Sequence, residues 1–170
     1  MPAGSTYTPI ATTTLGSAAA SYTFSSISGS YTDLVLVCQV QQVTDGEDFA
    51  VQVNGDTGTN YSRTYICGDG STAHSGRSTS ATSIFLDHHA TPPTSSSFSV
   101  NILNFQNYSN TTTYKTIVAR SNSLSTYGGS VGVVGLWRST SAITSITVFC
   151  TNSSNLKTGS MFTLYGIASA

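Results

Sequence analysis

Leu34-Val35-Leu36-Val37-Cys38-Gln39-Val40 is the stretch on which the reading of this chain turns. Apart from Cys38 and Gln39 every residue is aliphatic, none of the polar ones falls at helical spacing, and turn residues bound the run. A short apolar run of this kind reads as a strand buried on both faces, which places it in the interior of a sheet. The flanking sequence is polar, so its cover has to come from distant parts of the chain. The fold is therefore expected to be built from non-local contacts.

Working outward, Tyr22-Thr23-Phe24-Ser25-Ser26-Ile27 alternates and predicts a strand, turned by Ser28-Gly29-Ser30. On the other side, Thr44-Asp45-Gly46-Glu47-Asp48 reads as a turn. Phe49-Ala50-Val51-Gln52-Val53 follows with period two, and it is expected to form an antiparallel hairpin with the central run. Asn54-Gly55-Asp56 is the strongest hairpin signal present, since both central positions of a type I′ turn need positive φ. Tyr61 to Ile66 returns as a strand, and the run from Cys67 to about Ser83 has no periodicity and is expected to be a long surface loop. A short strand at Ser83 to Leu86 is broken by Asp87-His88-His89-Ala90-Thr91-Pro92-Pro93. Phe98 to Phe105 alternates, with a bulge or flip expected near Leu103. Strands are predicted again at Tyr114 to Arg120, Val131 to Trp137, Ile143 to Cys150 and Met161 to Ile167, with a loop from Ser121 to Gly129. The glycines of the Val131 run suggest close approach to a neighbouring element.

Nine or ten strands and no amphipathic helical window predict an all-β fold, an antiparallel two-sheet sandwich of jelly-roll-like form. Residues 1–20 are too sparse in apolar groups for a core element. They are read as an extended N-terminal arm, ordered against a neighbour or along the sheet, and residues 21–170 as the sandwich domain. Tyr7, Pro9, Ile10 and Leu15 are the arm's candidate partner contacts.

Only 8% of the residues are charged, the net charge is -1, and Ser and Thr make up about a third of the chain. The six cations are scattered, which disfavours nucleic-acid binding because that affinity comes from neutralising phosphates. No apolar run is long enough to span a membrane as a helix, and the first residues lack the basic start and apolar segment of a secretory signal. The chain is expected to fold in a cytoplasm. Weak like-charge repulsion at the surface points to assembly with copies or with a partner coat. The three cysteines, Cys38, Cys67 and Cys150, are expected as free thiols.

Few motifs carry chemistry. Asp56-Thr57-Gly58 matches the aspartic-protease triplet, but its setting in a turn favours a structural reading. Asp45, Glu47, Asp48, Asn54, Asp56 and Asn60 offer oxygens for calcium without the EF-hand spacing, and solvated turns are the default. His88 and His89 are adjacent and would point to opposite faces of an extended chain, so with His74 they make a metal site only when supplied by several copies. No nucleophile elbow or oriented acid-base pair is visible, and neither an enzyme nor a cofactor is expected. Tyr61, Tyr65, Tyr108, Tyr114, Tyr127 and Trp137 are either a stacking platform for sugars or core filling, the second being the commoner use.

Several phrases occur together: Phe24-Ser25-Ser26-Ile27, then Tyr31 to Val37, Val53-Asn54-Gly55-Asp56-Thr57-Gly58-Thr59-Asn60-Tyr61-Ser62, Tyr114-Lys115-Thr116, Gly135 to Ile146, and the ending Gly159 to Ile167. In their order they resemble a family of small structural proteins of tailed bacteriophages, including cyanophages, over residues 20 to 167. The resemblance implies a virion component on the capsid surface, assembled in the host cytoplasm. Its implied role is a jelly-roll decoration or cement protein, often a homotrimer, bound to the major capsid protein. It also leaves open a head-fibre or tail-fibre module that binds a receptor or glycan through residues 67–83 and 121–129. No catalytic residue comes with it.

Overall fold

The structure, a computed structural model, describes residues 6–44, 48–86, 98–123, 129–151 and 153–168. These form strands and no helix: β1 (Tyr7–Thr14), β2 (Ser21–Phe24), β3 (Asp33–Val40), β4 (Phe49–Val53), β5 (Tyr61–Gly68), β6 (Ala73–Ala81), β7 (Ile84–Phe85), β8 (Ser99–Phe105), β9 (Lys115–Ser123), β10 (Gly129–Trp137), β11 (Ile146–Cys150) and β12 (Met161–Ile167). An eight-stranded antiparallel sheet runs β1-β12-β3-β8-β9-β10-β5-β6, and a four-stranded one runs β2-β11-β4-β7. The chain is an all-β, two-sheet antiparallel sandwich.

One hydrophobic core lies between the sheets. Leu34, Leu36, Phe162 and Leu164 enter it from the large sheet, and Phe24, Val51, Ile146 and Val148 from the small one. Each such buried side chain contributes about 1.5–3 kcal/mol. The first strand lies beside the last, and every connection crosses between sheets except the β5-β6, β8-β9 and β9-β10 hairpins. The central run is β3, third in the large sheet. Its inward residues Leu34, Leu36, Cys38 and Val40 are fully buried, whereas on the other face burial fades from Val35 through Val37 to the exposed Gln39. Cover on both faces is thus confined to the start of β3, because the core lies on one side of this sheet only.

Four local expectations are corrected. β3 and β4 do not pair: β3 joins β12 and β8, while β4 joins β11 and β7. The chain between them changes sheets, and alternation alone does not distinguish a hairpin from such a crossing. Asn54 and Gly55 do adopt φ of 53° and 64°, closed by Asp56 N donating to Val53 O at 3.0 Å, the geometry of a type I′ turn. That turn nevertheless leads from β4 to β5 in the other sheet. The reason is Asn54, whose Nδ2 donates to Ala142 O (2.7 Å) and whose Oδ1 accepts from the N–H groups of Thr144 (2.8 Å) and Ser145 (3.1 Å). These bonds pin the turn to the segment before β11.

The expected loop from Cys67 to Ser83 is instead a hairpin. β5 turns at Asp69 into β6, an edge strand exposed along most of its length, so neither face imposes a hydrophobic period. Asp69 Oδ1 accepts from Ser71 N, Ser71 Oγ and Thr72 N at 2.8, 2.9 and 2.6 Å, which holds its carboxyl down at about 2. In β8 no flip occurs at Leu103. Ser99, Asn101, Leu103 and Phe105 face inward in unbroken alternation, and two polar residues in the inward phase had hidden the period.

Candidate docking surfaces

Asp56 is the best-connected side chain of the sandwich end. Its Oδ2 accepts from Trp137 Nε1 (2.6 Å) and Asn60 Nδ2 (2.9 Å), and its Oδ1 from Gly58 N (2.8 Å). The Trp137 bond foremost holds the carboxyl below its usual range. Tyr61, buried beside it, donates to Asp56 O (2.9 Å) and accepts from Val53 N (3.2 Å), and burial pushes its phenol up to about 12. A carboxylate held ionised by three donors is a poor proton shuttle, and here it ties the crossing turn to β10. The Asp56-Thr57-Gly58 triplet is structural. For the calcium set, Asn54, Asp56 and Asn60 spend their oxygens or amides inside the protein, while Asp45 and Glu47 lie outside the described residues. Among the described residues no group of three His, Cys, Asp or Glu is placed to hold a metal.

The tyrosine platform does not assemble. Tyr61, Tyr108 and Trp137 are buried in the core, Tyr65 lies over Gly76 beside Arg63, and Tyr114 alone is well exposed; Tyr127 lies outside the described residues. His74 is exposed on β6, and His88 and His89 lie outside the described residues. All three cysteines are free thiols, and burial pushes the Cys38 thiol up. Lys115, buried, donates to Thr113 O (2.7 Å) and Thr140 O (3.1 Å), and desolvation pushes its ammonium down.

The candidate contacts near the N-terminus separate into two kinds. Residues 7–14 form β1 along the edge of the large sheet, antiparallel to β12, with a bulge between Pro9 and Ala11. Ile10 and Leu15 are half-buried against the chain's own core. Tyr7 is 56% exposed with its ring edge-on to Tyr165 at 6.1 Å, and Pro9 is exposed opposite Tyr165. Those two remain on the surface.

A wider surface escaped the sequence reading: the outer face of the large sheet. Following the strand register, Tyr165, Val35, Asn104, Val118, Val134 and Thr64 form one row across six strands. A second row runs Val37, Ile102, Arg120, Gly132, Ile66 and Ser75. Val118, Val134 and Ile66 stand 37%, 52% and 67% exposed. Antiparallel sheets ordinarily turn polar residues to water on their free face, and here half of the twelve positions in the two rows are aliphatic, with Val118, Val134 and Ile66 the exposed ones. Its relief comprises troughs of about 520 Å³ beside Ile66, Ser75 and Ser130, about 310 Å³ beside Arg77, Thr64 and Val134, and about 300 Å³ beside Ile102, Arg120 and Asn122. The signal lay in the runs themselves: Val35 and Val37, Val100 and Ile102, and Val134 all occupy the phase opposite to the core.

No family model, curated protein or solved structure matches this chain. The phage resemblance thus rests on the phrases of the sequence.

Proposed function

We propose that this chain is a structural binding protein of a phage virion, a capsid decoration or cement protein that attaches to the major capsid protein on the outside of the head. The observation that carries this reading is the exposed aliphatic patch of Ile66, Val118 and Val134 on the outer face of the eight-stranded sheet. Such patches on soluble domains mark interaction sites. The polar side chains that looked chemical, Asp56, Asn54 and Asn60, are spent on holding turns. The phrase resemblance points the same way. The strand order also fits a jelly roll: β1-β12-β3-β8 opposite β2-β11-β4-β7 is a doubly wrapped eight-strand core, with the β5-β6 and β9-β10 strands added to one sheet. A homotrimer on the capsid would repeat each weak contact three times.

The fibre alternative drew on the tyrosines and on loops at 67–83 and 121–129: Tyr61 and Tyr108 are core, 67–83 is largely strand, and residues 124–128 of the second loop lie outside the described residues. The test is to incubate purified protein with capsids that lack it, sediment the particles and image a labelled copy. Many copies spread over the shell are expected. Binding only at a tail or a unique vertex, or competition with phage for host cells, would replace the cement reading with the fibre one.

A further inference from the structure

We infer that the outer face of the large sheet docks an apolar protein surface bearing carboxylates, placed to meet Arg77 and Arg120. This deepens the cement reading and rests on it for the partner's identity, but the chemistry of the face stands by itself. The chain has six cations, and four are engaged within the fold. Arg63 donates to Phe85 O (2.8 Å) between the rings of Tyr65 and Phe85, Lys115 holds two carbonyls, Arg138 donates to Thr59 O (2.6 Å), and Lys157 also has a partner. The remaining two, Arg77 and Arg120, have no hydrogen-bond or ion-pair partner among the described residues, and both stand on this face. Each lines one of its troughs.

Their separation follows from the register. Arg120 is three strands from Ser75, which precedes Arg77 by two residues, so the two Cα atoms lie about 16 Å apart at about 4.8 Å per strand and 3.4 Å per residue. The same spacings give eight strands of about seven residues a face of about 900 Å², enough for the roughly 800 Å² that one partner brings to a standard interface. Val118, Val134 and Ile66, with the half-buried Ile102 and Val37, would supply its apolar centre, and the guanidiniums its orientation.

The same residues disfavour other occupants. Two copies packed face to face would bring Arg77 and Arg120 against a surface that carries the same two cations. Two arginines on an aliphatic plane neutralise too few phosphates for nucleic acid.

The test maps amide shifts by NMR while monomeric decanoate, an apolar chain with one carboxylate, is titrated into the purified protein, with acetate and decyltrimethylammonium as separate arms. Decanoate is expected to shift residues around Ile66, Val118 and Val134, and the R77E/R120E variant to bind it at least tenfold more weakly with an unchanged melting curve. Acetate and the cationic amphiphile should leave the face unperturbed. Equal binding of decanoate and decyltrimethylammonium, shifts elsewhere, or indifference to the charge reversal would overturn the inference. Capsid sedimentation then separates the two readings. Wild-type protein that carries the decanoate site and ignores capsids refutes the cement role alone, whereas capsid binding that survives R77E/R120E refutes this face. Decanoate-free dimerisation through these amides would identify a second copy as the occupant and overturn the choice made here.

Discussion

At the scale of the residue, Asp56 and Asn101 make opposite demands. Asp56 is a half-buried acceptor with three donors, and its depressed folded pKa means that it stabilises the fold above its ordinary value near 4 and loses that contribution as pH falls through the folded value. Asp56→Asn keeps the shape but turns an N–H either toward Trp137 and Asn60 or toward Gly58 N, all of them donors. It is expected to cost about 1–2 kcal/mol at pH 7, with the gap to wild type narrowing in thermal melts as pH falls below the ordinary carboxylate value. Asn101 is buried on β8 with neither Oδ1 nor Nδ2 partnered among the described residues. Because an unpartnered buried amide costs about 1–3 kcal/mol, Asn101→Leu is expected to raise the melting midpoint by a few degrees. A lowered midpoint would mean that the amide is satisfied by buried solvent.

At the scale of the element, strands whose period the core writes were legible, the small sheet's edges β2 and β7 among them, and the large sheet's edges β1 and β6 were not. β11 and β12 alternate cleanly because their period is written by the core; β6, exposed on both faces, and β1, rich in threonine, carry no such imprint. Turn chemistry was legible at Asn54 and Gly55, while the destination of the turn depended on Ala142, Thr144 and Ser145, almost ninety residues away. The glycines of β10 were expected to mark close approach, and they divide. A Cβ on Gly135 would lie 2.6 Å from Ile84 Cδ1 across the sandwich, whereas one on Gly132 meets Ile66 at an ordinary 3.5 Å. Gly135→Ala should therefore cost about 1–3 kcal/mol in denaturant melts and Gly132→Ala less than about 0.5. Deleting residues 2–18 removes β1 from β12 and takes Ile10 and Leu15 out of the core. The truncated chain is expected to melt well below wild type, and a loss of capsid binding on such a deletion would report unfolding as much as attachment. Substituting Tyr7 alone is the cleaner probe of that edge.

At the scale of the whole molecule, the candidate site was the least legible part. The sequence named Tyr7 and Pro9 on one edge, but the outer face draws on β3, β5, β8, β9, β10 and β12, and no window of sequence brings those strands together. Only register places Arg120 beside Gly132 and Ile66. Resolving which phase of each aliphatic run met the core needed the pairing of strands separated by half the chain.

The adjacency of first and last strands also governs how the molecule answers to force. Tyr7 pairs with Ile167, and Ala168 N donates to Thr6 O at 3.3 Å, so both ends leave the same corner on antiparallel neighbours. Tension between the ends would peel β1 from β12 one rung at a time, as a zip opens, instead of loading all rungs together in shear. Pulled by its ends in a force microscope, the protein is expected to yield at low force. A swelling shell would be restrained by such a molecule only through its broad flank, where the strain is shared by many contacts at once.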